Sequence, residues 1–404
     1  MKILLRAVLG LLAFAAIARA DHLVVTVTND LAIARPAEVI SIPFAQIRQL
    51  LDPAHADPAN YWNRTTNIPK VRFDNLLVKD SSGNPVPAQV TNLDTKGGRN
   101  YEYNDLIFQH DFAAGEKSAT FTIETVDTQV PPYPAKVYCR FVPDRLDDFA
   151  WENDRIAHRI YGAGLELPSA GPDQMANGGS GVDVWSKRFP YFMVDRWYGK
   201  DHNALHTDTG EGLDMYETGV ARGDGGIGIW DGQALHVSRD FRTWKILANG
   251  PIRAVFELGY EPWDAGNGVM VSEVRRFTVD AGHNLDQVVS TLTFSGTDTL
   301  TVGIGLTEHT ARSDNATITP TQNADNLWES LWEVYTKSGQ LGTGIILAPG
   351  TAFTGFAQSK ANVPAARSLR IPSPATCGFG STVAVTTRRT PAAISAAAQG
   401  PVRP

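Results

Sequence analysis

Hydrophobic and polar residues alternate with a period of two along much of this chain. The pattern is clearest between Pro251 and Leu306. There Ile252, Ala254, Phe256, Leu258 and Tyr260 fall on one side, with Arg253 and Glu257 on the other. Val288, Ser290, Leu292 and Phe294 repeat it, as do Val302, Ile304 and Leu306 against Thr301, Gly303 and Gly305. Successive strand residues face opposite sides of a sheet, so this alternation predicts half-buried strands in antiparallel sheets. Shorter β-branched runs at residues 23–28, 71–78, 119–125, 135–141 and 226–230 extend the reading, separated by turn clusters such as Ser81-Ser82-Gly83-Asn84-Pro85. Helical spacing appears at residues 146–160 alone. Many short strands without a βαβ rhythm predict an all-β protein built from large antiparallel sheets, with few helices.

The ends of the chain depart from this pattern. Residues 1–20 combine Lys2 and Arg6, an uncharged apolar run from Ala7 to Ile17, and the small-x-small close Ala18-Arg19-Ala20. This is the layout of a secretory signal peptide, and the apolar run is far shorter than the roughly 20 residues of a membrane span. The expected location is therefore periplasmic or secreted, with no membrane span. Prolines around Pro131–Pro134 and Pro143 suggest a join, giving an N-terminal β-rich part at 21–142 and a C-terminal part at 143–363. From 364 to 404 the alternation dissolves, and no acidic residue follows Glu333. That stretch reads as a disordered tail or as the product of a shifted reading frame.

Composition narrows the function. The chain has 404 residues, 43% hydrophobic, with a formal net charge of -7. An acidic surface is unsuited to displacing counterions from phosphates, so nucleic acid is excluded as a partner. Cys139 and Cys377 are far apart and are read as two unpaired thiols, although an oxidising compartment leaves pairing open.

Candidate chemistry concentrates between Asp144 and Asp231. His206 has Asp208 and Glu211 close in sequence, and a carboxylate beside an imidazole orients it and raises its basicity. Arg159, Lys187 and Arg188 are suited to a substrate carboxylate, and Tyr161 or Tyr216 to proton transfer. Trp185 offers an aromatic face for a sugar ring. Glu308-His309 ends a predicted strand, and alternation allows one of the two into a shared site. The catalytic candidates are thus His206, Glu211, Tyr216 and Glu308; the substrate-binding candidates are Arg159, Tyr161, Trp185, Lys187, Arg188 and Asp208. No cofactor is expected. His202, His206 and Asp208 form the alternative, a divalent metal site, though their spacing matches no zinc motif.

The string Asp147-Asp148-Phe149-Ala150-Trp151-Glu152-Asn153-Asp154-Arg155, with Arg159 and Tyr161-Gly162, Val182-Asp183-Val184-Trp185 and Gly210-Glu211-Gly212-Leu213-Asp214, resembles the DUF4861 family. So does Ile229-Trp230-Asp231-Gly232 followed by Phe241-Arg242-Thr243-Trp244 and Leu247-Ala248-Asn249-Gly250-Pro251. These are bacterial exported proteins, often encoded near genes for degrading pectin and other uronic-acid polysaccharides. The resemblance implies a galactose-mutarotase-like β-supersandwich with a saccharide cleft on its concave sheet. The expected function is acid–base chemistry on a uronic-acid-containing oligosaccharide, by a lyase, hydrolase or epimerase. The alternative is a non-catalytic periplasmic carbohydrate-binding protein. The resemblance also implies an aromatic, glycine-rich last strand and an acidic terminus, where this chain has Pro374-Ala375-Thr376-Cys377-Gly378-Phe379-Gly380.

Overall fold

The alternating runs fold as strands. The computed structural model describes residues 22–56, 69–93, 103–167, 179–200, 205–218, 223–309, 315–348, 353–356, 366–372 and 379–388. Residues 1–20 and Cys377 lie outside them. Two units are distinguished. The first takes the chain up to Val137 together with Leu247–Ala254 and Asp280–Gly282; the second takes Tyr138–Ile246, Val255–Val279 and the chain from His283 onward.

The first unit contains β1 (His22–Thr28), β2 (Arg35–Pro43), α1 (Phe44–Leu51), β3 (Leu76–Lys79), β4 (Pro85–Val86), β5 (Ala88–Val90), β6 (Asp105–Phe112) and β7 (Ser118–Thr125). They form two sheets, ordered β1-β7-β3-β4 and β2-β6-β5. Val25, Val78, Phe121 and Ile123 from one sheet meet Ile40, Ile42, Leu106 and Phe108 from the other in a single core. The rings of Phe108 and Phe121 meet edge to face at 4.8 Å. Helix α1 adds Phe44, Ile47 and Leu51, whose spacing puts all three on one helical face. The later segments are pinned by Gln89. Its Oε1 accepts from the backbone of Ile252 and Arg253, and its Nε2 donates to the Arg253 carbonyl.

The remaining strands are β8 (Val137–Val142), β9 (Asp148–Asn153), β10 (Ile156–Ile160), β11 (Val182–Lys187), β12 (Gly212–Asp214), β13 (Asp224–Trp230) and β14 (Leu235–His236). They continue with β15 (Thr243–Asn249), β16 (Arg253–Asp264), β17 (Met270–Asp280), β18 (Leu285–Ser295), β19 (Thr299–Leu306) and β20 (Asn315–Asn323). The last are β21 (Trp328–Tyr335), β22 (Gly339–Leu347), β23 (Phe353–Phe356), β24 (Ala366–Pro372) and β25 (Phe379–Arg388). A short helix α2 (Val194–Tyr198) precedes β12. The sheets run β12-β11-β10-β9-β8, β14-β13-β19-β24-β23 and β15-β16-β17-β18-β25-β22-β21-β20. The protein is all-β, as the alternation predicts. Strands β24 and β25 fall beyond residue 364, where that alternation is lost. Strand β25 nevertheless pairs with both β18 and β22 in the middle of the eight-stranded sheet.

Residues 146–160, expected as a helix, form a hairpin instead. Leu146 and Asp147 have φ of 55 and 65, a left-handed conformation that no right-handed helix accommodates. Asn153 Oδ1 then accepts from the backbone of Arg155 and Ile156 and turns β9 into β10. Every residue of β9, β10 and β11 is buried. Strands covered on both faces lose the polar alternation of half-buried ones, so their period was not apparent. One face of this five-stranded sheet supplies Phe149 and Trp151, which pack on Phe256 at 4.5 and 5.1 Å. Phe256 in turn stacks on Phe277 at 4.9 Å. Cutting Phe256 to Ala should cost about 3–5 kcal/mol of unfolding free energy, read from denaturant melts, because the aromatic cluster cannot close over so large a void.

His158 shares that face, stacked on Trp151 at 5.3 Å. Burial pushes its imidazole down to about 4, partly opposed by the Asp183 carbonyl. Asp286 lies 3.6 Å from Nε2, too far for a hydrogen bond. The ring is therefore neutral at ordinary pH. Between about 4 and the unfolded value of 6.5 the unfolded chain binds more protons than the folded one, so stability rises with pH across that window. Substituting His158→Gln should flatten this slope in melts taken across the same range; an unchanged slope would assign it elsewhere.

Candidate functional site

Paired residues of an antiparallel ladder project to the same side, so the register of β9–β12 decides which side chains meet. Arg159 pairs with Ala150 and Asp183, and Ala157 pairs with Glu152 and Trp185. Trp185 pairs in turn with Asp214, and Lys187 with Gly212. Strand alternation adds Asp148. The charged residues Asp148, Glu152, Arg159, Asp183, Lys187 and Asp214 thus occupy one face, while Trp151, His158 and Val184 occupy the other.

Arg159 is 3% exposed and forms an ion pair with Asp183. Its Nη2 lies 3.5 Å from Asp214 Oδ2 and donates to the Tyr161 hydroxyl at 3.3 Å, and its Nη1 lies 3.9 Å from Asp148 Oδ2. The guanidinium also sits 4.8 Å from the Tyr161 ring and 5.3 Å from that of Trp185. Trp185 Nε1 donates to Asp183, and the Tyr198 hydroxyl to Asp148. Burial lifts the Asp148 carboxyl to about 6, against the pull of Arg159. Lys187 is equally committed. Its Nζ donates to Glu152 Oε2 at 2.6 Å and to the Asn153 carbonyl at 2.7 Å. Glu152 also accepts the backbone of Met193 and Val194 and so fixes the start of α2 over this face. Burial lowers the Lys187 ammonium below its ordinary value. Arg159 and Lys187, expected to meet a substrate carboxylate from solvent, hold the interior of the face together instead.

His206 stands at the edge of this network. Its side chain is 44% exposed. Nδ1 lies 3.1 Å from the Asp214 carbonyl oxygen and 3.6 Å from Asp214 Oδ2. The residue that orients it is therefore Asp214, through its backbone carbonyl and with its carboxylate close by, not the Asp208 or Glu211 suggested by proximity in sequence. Gly212 explains the approach: it has φ +127, and a Cβ there would collide with the Ser186 carbonyl oxygen, so β12 lies close against β11 because the residue has no side chain.

Glu211 joins a separate, shallow cluster. It accepts from Tyr191 at 2.9 Å, Arg196 Nε at 3.0 Å and Lys200 at 2.7 Å, and these donors hold its carboxyl down at about 2. Arg188 pairs with Asp208 beside it, and the Arg188 amide donates to the Glu211 carbonyl. A carboxylate so held is a structural acceptor and a poor base. Tyr216 is 2% exposed, and burial raises its hydroxyl well above the ordinary range, which removes it as a solvent-facing donor. Of the pair at the β19 end, His309 is buried and Glu308 half-buried. His309 Nδ1 lies 2.9 Å from Glu333 Oε2, its Nε2 lies 2.9 Å from the Glu217 carbonyl, and the Tyr335 hydroxyl donates to Glu333 at 2.8 Å. Among the described residues no group of three or more His, Cys, Asp or Glu side chains is placed to hold a metal ion; His202, part of the metal alternative, lies outside them. Cys139 is buried.

Asp148, Asp183, Asp214, Glu333 and Tyr198 were not among the expected site residues. A signal existed for two of them: Asp183 with Lys187, and Asp148 with Glu152, place charged residues four apart, on one face, in otherwise largely apolar strands.

The family model for the domain of unknown function DUF4861 matches residues 27–369. The chain belongs to the DUF4861 family. A relative from Formosa agariphila, described as uncharacterized protein P7, is 31% identical over 338 residues, covering 82% of this chain and 76% of the relative. Two solved structures also align with this DUF4861 protein. One is an alpha-mannosidase from Enterococcus faecalis V583, with TM-score 0.46 and 9% identity over 96% of this chain. The other is a glycosyl hydrolase family 38 protein from Enterococcus faecalis, with TM-score 0.43 and 10% identity over 95% of this chain. This chain covers 46% of the first and 47% of the second, so it spans under half the length of either. No helix among the described residues is long and apolar enough to cross a membrane.

Substituting Asp183→Asn should destabilise the DUF4861 fold by about 3–5 kcal/mol, because it leaves Arg159 buried with less compensating charge. The exposed pair tested by Asp208→Asn should change stability by under about 1 kcal/mol. Urea midpoints of the two variants measure the difference.

Proposed function

We propose that this protein is an exported enzyme that abstracts a proton from a uronic-acid-containing saccharide, with His206 as the base. The observation that carries the proposal is the His206–Asp214 pair. One ring nitrogen is turned to a fully buried aspartate while nearly half of the side chain meets solvent. The Asp214 backbone carbonyl accepts from Nδ1 and so fixes the tautomer that leaves Nε2 as the proton acceptor, while the Asp214 carboxylate 3.6 Å away favours the imidazolium that forms. Arg159, whose Nη2 lies 3.5 Å from Asp214 Oδ2, supports that residue from behind.

The surface near His206 favours an anionic substrate. Arg188, Arg196 and Lys200 outnumber Asp208 and Glu211 in the shallow cluster, so that patch carries net positive charge on a chain that is acidic as a whole. A uronate carboxylate neutralised there acidifies the C–H beside it. In the elimination, His206 takes the C5 proton and the C5–H electron pair forms the C4=C5 double bond. The C4–O bond breaks, and the departing sugar oxygen leaves with a proton from solvent or from the imidazolium. Return of the proton to the opposite face of C5 would instead give epimerisation. Hydrolysis needs two carboxyls flanking the scissile bond, and the acids described here are engaged by cations or buried. Pectin-type oligosaccharides in the periplasm or outside the cell are the substrates this reading selects.

Incubation with a panel of uronic-acid oligosaccharides tests it, reading the ultraviolet absorbance of an unsaturated product alongside new reducing ends. Absorbance should rise with wild type and fall by about 10²–10⁴-fold in His206→Ala, with an unchanged melting profile. New reducing ends without absorbance would replace elimination by hydrolysis. Binding without turnover on every substrate would make the protein a carbohydrate-binding module.

A further inference from the structure

The N-terminal unit contains an open groove of about 490 Å³, within the range of roughly 300–1,000 Å³ typical of small-molecule sites. Its floor is apolar, made by Leu76, Ala88, Val90 and Leu106. We infer that this groove binds a neutral saccharide, independently of the chemistry proposed for His206.

The rim carries the aromatic faces such a ligand needs. Phe73 is 53% exposed, and its ring is held by stacking on Tyr103 at 5.4 Å. Tyr133 lines the same groove within Pro131-Pro132-Tyr133-Pro134, where fixed proline φ angles limit the backbone. The C–H faces of a pyranose pack on such rings while its hydroxyls turn to polar neighbours. Those neighbours are amides: Asn92, Gln129 and Asn249 line the walls. The Asn92 Oδ1 atom is buried and has no hydrogen-bond partner among the described residues. A buried acceptor left unmatched is costly, and a sugar hydroxyl supplies the missing donor.

Charge selects against anionic ligands here. Among the described lining residues Asp74 is the one carboxylate, held by Arg72 Nε at 3.1 Å, and none is Lys or Arg. A phosphate or uronate would meet the Asp74 carboxylate, and the cation beside it, Arg72, is already engaged by that carboxylate. The groove is also formed in advance of binding. The Val130 amide donates to the Asp74 carbonyl at 2.7 Å, and the Gln89 amide is fixed by its three backbone bonds to Ile252 and Arg253. Preorganised walls spare the ordering cost that weakens binding by mobile loops.

Calorimetric titration of the full chain carrying His206→Ala tests the inference, with hexaoses of glucose, mannose, xylose, galactose and arabinose as neutral probes and a galacturonate trisaccharide as the charged one. At least one neutral hexaose should bind, and Phe73→Ala, Tyr133→Ala and Asn92→Leu should each weaken it by about tenfold or more without shifting the melting temperature. No heat with any neutral probe, or binding indifferent to Phe73→Ala and Tyr133→Ala, would overturn it. Because uronate turnover is measured with the wild-type chain, loss of either result leaves the other standing.

Discussion

The burial of one guanidinium governs the C-terminal unit. Arg159 lies in the middle of a sheet covered on both faces, where a charge without partners would cost several kcal/mol. Asp183 meets it directly across the ladder, Asp214 arrives one strand further, and Asp148 stands off at nearly 4 Å. Burial lifts the most distant of the three, Asp148, to about 6 against the pull of Arg159. Trp185 and Tyr198 donate the remaining hydrogen bonds, which converts a liability into a rigid platform.

That platform reaches beyond the sheet. Asp214 Oδ1 accepts the Tyr216 amide at 3.2 Å, so the chain leaving β12 is aimed by the same residue whose carbonyl orients His206. Tyr216 then packs edge-on against His309 at 4.5 Å, and the Glu217 carbonyl completes the pocket around that imidazole. Two buried polar groups, one centred on Arg159 and one on Glu333, are thereby joined through four residues of backbone. A histidine placed at the rim of so constrained a network keeps its orientation without relying on a mobile loop.

The sequence exposed the half-buried strands readily, because residues such as Ile252, Phe256 and Tyr260 alternate against charge. It concealed β9, β10 and β11, whose two covered faces leave no alternating polar side. His206 and Arg159 were identifiable as unusual residues in a dense polar segment. Their partners were less accessible: the Arg159–Asp183 contact depends on ladder register, and the choice of Asp214 over Glu211 depends on a backbone conformation that Gly212 alone can adopt. Glu211 is nearer to His206 along the chain yet faces Arg196 and Lys200. At the end of β19, alternation allowed one side chain inward, and burial chose His309 over Glu308. The groove of the N-terminal unit escaped notice altogether, since its walls come from segments widely separated in sequence.

Gln89 ties residues near the start of the chain to a turn that is synthesised much later. Until Ile252 and Arg253 emerge, its amide has no backbone to bind and the wall formed by residues 247–251 does not exist. The N-terminal sheets therefore cannot complete as an autonomous cotranslational unit; their closure waits on the strands that follow.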